Sequence, residues 1–135
     1  MPSYTFPTEA GQPLRIVICG GGASSVLLLA ALNERTTQPV AVTIMEPHAR
    51  LGVGVAYSTP CAAHLLNTRA CNMSVNTDAT DFVQWLRSAR HRRGFNWGAH
   101  DFAPRRFYGE YLQAKLDAIR ATERQGSRDP AESVA

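Results

Sequence analysis

The chain has 135 residues, 44% of them hydrophobic, with 14 Lys and Arg against 11 Asp and Glu. That length fits one domain rather than two, and that apolar content excludes a wholly disordered chain. No apolar run approaches the ~20 residues of a membrane span. Residues 1–13, "MPSYTFPTEAGQP", lack the basic start and apolar core of a secretion signal, so they are expected to be a flexible leader on a cytoplasmic protein.

"LRIVIC" (14–19) is a short continuous apolar run rich in β-branched residues, the pattern of a strand buried on both faces. "SSVLLLAALNER" (24–35) reads as a helix packed on a sheet, ended by "TTQP", and "VAVTIME" (40–46) as a second buried strand stopped by Pro47. Strand, glycine turn, helix and strand make a βαβ unit with parallel strands and a right-handed crossover. Residues 47–77 show little periodicity but contain Leu51, Val53, Val55, Tyr57, Leu65, Leu66 and Met73. A loop so long and so apolar is expected to be ordered by packing, against a ligand. "DATDFVQWLRSARHR" (78–92) predicts a helix capped by Asp78, with Asp81 in its first turn and Phe82, Trp85 and Leu86 on one face. A longer helix follows over 104–124, opened by Pro104 and striped by Phe107, Tyr108, Tyr111, Leu112, Leu116 and Ile119. Residues 125–135 hold no core-forming residue and are expected to be a disordered tail.

Cys19, Cys61 and Cys71 form no CxxC pair and leave an odd count, which argues against a disulfide framework. Cys61 and Cys71 flank His64, but a tetrahedral site wants four ligands and no further one stands near, so no metal is expected. Ten of the 14 basic residues lie from Arg87 onward, against six of the 11 acidic ones. Arginines interleaved with Phe95, Trp97 and Phe102 can suit single-stranded nucleic acid. The stretch carries no RRM, KH or helix-turn-helix pattern, which favours a solvated loop or an anionic small ligand over nucleic acid.

The turn between the first strand and helix is Gly20-Gly21-Gly22-Ala23-Ser24-Ser25, a G-x-G-x-x-S sequence. In a dinucleotide fold the first glycine permits the tight turn, the second lets backbone approach the pyrophosphate, and the third lets helix and strand pack closely. Gly20 and Gly22 fill the first two places and Ser25 the third, which leaves Gly21 as the variable position, expected to tolerate alanine. The amides of Ala23 and Ser24 then sit at the helix N-terminus, aimed at the anion. Glu46, 24 residues after Gly22, closes the second strand, where a carboxylate accepts ribose hydroxyls and repels a 2′-phosphate. The pattern fits the adenosine half of FAD or NAD rather than NADP. A methyltransferase also places an acid after its second strand, but its glycine turn reads differently.

"GGGASS", "EPHARLGVGVAYSTP", "HLLNTRACNMSV", "DFVQWL" and "PRRFYGEYL" together resemble, in that order, the N-terminal FAD/NAD(P)-binding domain of a bacterial flavoprotein family. That family includes FAD-dependent urate hydroxylases and N-oxygenases converting aspartate to nitrosuccinate, and the likeness runs from about Leu14 to about Arg120. The resemblance implies a Rossmann-like α/β fold, FAD as cofactor and NAD(P)H as reductant. It implies a flavin that carries out O₂-dependent hydroxylation of a small polar substrate, so that no side chain of this chain is named as catalytic. Carried over, it places Gly20, Gly22, Ala23, Ser24 and Glu46 on the ADP part of FAD, and Gly54, Val55, His64 and Asn67 along the cofactor toward the flavin. Arg105 and Arg106 would hold a phosphate or an acidic substrate by bidentate bonds.

Two parallel strands do not make a sheet covered on both faces, since sheets usually hold ~4–6 strands. The domain over 14–124 is therefore expected to be partial, completed by further sequence or by a second chain, and inactive alone. Two other readings stay open on the residues: an NAD-binding module of a dehydrogenase, and a non-catalytic interaction protein that retains the βαβ shape.

Overall fold

The computed structural model describes residues 12–88 and 96–126. The leader, the basic end of the 78–92 helix and the tail lie almost entirely outside the described residues. Leu14–Cys19 is strand β1 and Val40–Met45 strand β2, paired in parallel with Leu14 opposite Val40 and Cys19 opposite Met45. Ala23–Arg35 between them is helix α1. β-branched runs favour the strands, and an Ala- and Leu-rich run favours the helix. The result is a Rossmann-like βαβ unit, incomplete in that its sheet has two strands among the described residues.

The strands are not buried on both faces. Both alternate half-buried and exposed positions, and Val17 and Met45 are 62% and 60% exposed. Successive strand side chains point to opposite faces, and the described helices lie over only one of them. On that covered face a crevice of about 250 Å³ separates Val42 and Ile44 from Leu29, Leu116 and Ile119. The face is sheltered without being packed tight.

The packed core lies elsewhere. Four further elements follow the βαβ unit: a single turn α2 (Gly54–Tyr57), a 3₁₀ turn (Ala70–Asn72), α3 (Asp81–Arg87) and the long α4 (Arg105–Gly126). Phe82 and Leu86 of α3 are wholly buried with Tyr111 and Leu112 of α4, and Val26 of α1 joins the same cluster. Rings of Tyr57, Phe82, Tyr108 and Tyr111 meet at 4.8–5.7 Å between centroids, mostly tilted or edge-on, a favourable arrangement for aromatic quadrupoles.

Helix α3 starts three residues later than Asp78. The Asp78 carboxylate accepts instead from the Thr80 amide and hydroxyl at 2.8 and 2.7 Å, fastening the turn ahead of the helix. Ser74 takes the helical amide of Phe82 at 3.2 Å.

The 47–77 segment is ordered by the protein itself. Leu66, Ala70 and Cys71 donate backbone bonds to Ala103, Asp101 and Ala99, and Arg105 donates to His64, all at 2.8–3.0 Å. The stretch before α4 thus runs antiparallel to the loop, with a bridge at Leu65 and Pro104. Further on, the Val75 amide donates to the Tyr111 hydroxyl, which donates in turn to Asp81, and Lys115 pairs with the same carboxylate at 2.7 Å.

Candidate nucleotide site

The end of β1 and the start of α1 are joined by a turn with no side chain on its open surface. Gly20 has φ +97°, a left-handed conformation that L side chains rarely adopt, and a Cβ at either Gly20 or Gly22 would meet nothing within 4 Å. Gly22 is the residue before the first helical position, so the amides of Ala23 and Ser24 have no intrahelical carbonyl to bond. They stand at the positive end of α1 beside open space, which is the geometry of an anion site.

Ser25, in the third place of the turn, is buried, and its hydroxyl donates to the Gly20 carbonyl at 2.5 Å. The serine therefore does more than fit where glycine is usual: it ties the helix back onto the turn.

Gly21 is the constrained position, contrary to the expectation that it varies freely. A Cβ there would collide with Leu51 Cδ2 and stand 2.9 Å from both Cβ and Cγ of Glu46. Its amide donates to Glu46 Oε2 at 2.7 Å, and its carbonyl accepts from Gly52 at 2.5 Å. The middle glycine is where the 47–77 loop closes down on the turn. Spacing alone does not reveal this, because the contact comes from a residue thirty positions away.

Glu46 sits just past β2, with its side chain 11% exposed. Besides Gly21, it accepts from the His48 amide at 2.9 Å and the His48 ring Nδ1 at 2.7 Å, both at Oε1. The Gly21 amide, and after it the His48 amide and ring, stabilise the ionised form and hold its pKa down at about 2. A carboxylate only accepts, so His48 Nδ1 carries the proton in this contact.

A second pair of closely spaced glycines, Gly52 and Gly54, follows Glu46 and meets the glycine turn. Gly54, at φ +50°, approaches so closely that its Cβ would stand 3.4 Å from the Gly22 Cα. A groove of about 530 Å³ runs beside this contact, lined by Glu46, Pro47, His48, Val53, Gly54 and Val55 among others. The chain thus brings the glycine turn, Ala23, Ser24, Glu46, Gly54 and Val55 to one place.

A family profile described as FAD-NAD(P)-binding matches residues 17–130. The chain belongs to this FAD-NAD(P)-binding family. Membership supports a flavin or nicotinamide cofactor, or both, without choosing between them. No curated protein matches the chain, and no solved structure does. Among the described residues no helix is long and apolar enough to cross a membrane.

Within this FAD-NAD(P)-binding domain the remaining expected residues do not line the groove. His64 is exposed, with its Nδ1 2.7 Å from the Thr59 hydroxyl, and its carbonyl accepts the Arg105 amide. Arg105 donates from Nε to the Leu65 carbonyl at 3.0 Å, so part of its guanidinium serves the loop–helix seam. Arg106 is exposed over the Phe107 ring, 5.0 Å from its centroid. Asn67 is exposed and bonded to no described residue. Residues that the motif reading passed over are Leu51, which closes the loop on the turn, and His48, which engages the acid. Gly52, the first of the glycine pair behind Glu46, belongs by resemblance to a cofactor-facing segment and closes on the Gly21 carbonyl instead.

Proposed function

We propose that this chain is the FAD-binding N-terminal part of a flavin-dependent oxidoreductase, and that the whole enzyme is an NAD(P)H-dependent monooxygenase acting on a small polar substrate. The observation that carries the reading is the meeting of Gly22 with Gly54 beside Glu46. Two bare backbone segments and a ribose-type acid converge beside the groove, with the N-terminus of α1 next to them. An extended dinucleotide fits such an arrangement: pyrophosphate on the amides of Ala23 and Ser24, ribose at Glu46, and a flat base against Pro47, Val53 and Val55. When bound, the flavin would supply the redox chemistry. This chain's residues bind and orient it: the turn takes the phosphates, Glu46 takes ribose hydroxyls, and the 53–58 segment directs the cofactor onward. His64, Asn67, Arg105 and Arg106 are assigned to the parts of cofactor or substrate beyond the groove.

The reading includes partners. The exposed outer face of the sheet and the exposed Leu27 and Leu28 of α1 support completion by further strands, from additional sequence or a second chain. The test is flavin retention and turnover. The completed enzyme should hold FAD and oxidise NAD(P)H, whereas the 135-residue chain with added FAD should show no sustained oxidation. A sample that takes up NAD and never a flavin would replace this reading with a dehydrogenase module. Turnover by the lone monomer would overturn the requirement for completion.

A further inference from the structure

The acceptor capacity of Glu46 is nearly spent before any ligand arrives. A carboxylate offers about four lone-pair positions. One on Oε2 takes the Gly21 amide, and both on Oε1 take His48, through its amide and its ring. A single position on Oε2 is left. The neighbouring hydroxyls of a ribose need two acceptor positions, so one donor must leave.

The three present donors are not equally removable. The Gly21 amide belongs to a glycine with no room for a Cβ, locked by Leu51 and Gly52, and the His48 amide is backbone held at the exit of β2. The His48 ring hangs on a side chain that is 81% exposed, and it borders the same groove as Glu46. An exposed side chain changes rotamer without disturbing the turn.

We propose that the His48 ring is a displaceable guard of the ribose site, occupying Glu46 Oε1 in the free protein and swinging off when a vicinal diol binds. The inference rests on the reading of Glu46 as a ribose acceptor and deepens it. His48 is then a specificity-determining residue: a ligand with both hydroxyls replaces the bond it breaks, and a ligand lacking them does not. The guard also fills one more acceptor position of an ionised carboxylate beside the groove while no ligand is bound.

The experiment uses the full chain and two probes, ADP and 2′,3′-dideoxy-ADP, titrated by NMR so that weak binding is measured. His48→Ala and His48→Phe should each tighten ADP binding about three- to tenfold, since ligand no longer competes with the ring. Neither variant should change the affinity for the dideoxy probe. In the wild type, saturating ADP should move the His48 ring signals while saturating dideoxy probe leaves them in place. If the wild type prefers ADP over the dideoxy probe but His48→Ala binds ADP equally or more weakly, the guard is overturned and the ribose reading stands. If the wild type does not distinguish the two probes, the ribose reading of Glu46 falls and the guard with it.

Discussion

At the residue scale, the glycines of the turn separate two requirements that the motif merges. Gly21 is bare because the protein needs the space, and Gly22 is bare beside open space where a ligand would need it. Gly21→Ala should therefore destabilise the fold by about 1–3 kcal/mol, as overpacking does, visible as a melting temperature several degrees lower. Gly22→Val should melt close to wild type while losing nucleotide binding. Equal loss of stability in the two variants would contradict this division. Glu46 adds a dependence on acid. Its pKa is depressed from 4.5 to about 2 in the fold, so its support for the turn is fully present above pH 4.5 and fades as pH falls through about 2. Melting curves from pH 5 to pH 2 should show a decline that is flattened in Glu46→Gln; an identical decline in that variant would assign the acid sensitivity to other groups.

At the scale of elements, the seam between the 47–77 loop and α4 has its own fastening. Tyr111 is wholly buried, accepts the Val75 amide and donates to Asp81, and burial above all pushes its phenol pKa well upward. Tyr111→Phe keeps the ring packing and strips both bonds, leaving a half-buried amide unsatisfied, for an expected cost of about 1–3 kcal/mol. Hydrogen exchange at Val75 should accelerate more than at Val26 in α1; uniform acceleration would mean that the loop and the βαβ unit open together. The elements themselves were largely legible in the sequence. β1 spans Leu14–Cys19 as its apolar run indicates, α4 buries Tyr108, Tyr111, Leu112 and Leu116 from its stripe, and the strands pair in parallel. What periodicity does not carry is long-range pairing. The antiparallel run of 64–71 against 99–105 and the closure of Gly52 on Gly21 depend on where distant segments arrive. The capture of Asp78 by Thr80 is local, a turn that competes with the helix cap at the same residue.

At the scale of the whole molecule, the site and the core draw unequally on the two halves. The βαβ unit supplies the glycine turn and Glu46, yet no strand residue is fully buried, while the tight core belongs mainly to α3, α4 and the loop, with Val26 of α1 added to it. The continuous apolar runs of β1 and β2 indicate strands buried on both faces, and the exposed Val17 and Met45 are what those runs leave over when one face is covered. The identity of the fold was carried by the glycine turn, the helix and strand between turn and acid, and the later "GVAYSTP", "HLLN" and "FYGEYL" stretches. The side-chain roles were less legible, because Glu46 and Ser25 spend their bonds on backbone that spacing does not reveal: Glu46 on the Gly21 amide and Ser25 on the Gly20 carbonyl.

The measurement that tests the central claim most directly is ADP binding by the full chain, followed residue by residue through its backbone amide signals. The account predicts saturable shifts centred on Gly22, Ala23, Ser24, Glu46 and Gly54, lost in a folded Gly22→Val. Shifts that cluster elsewhere, persist unchanged in Gly22→Val, or fail to appear at millimolar ADP would contradict it.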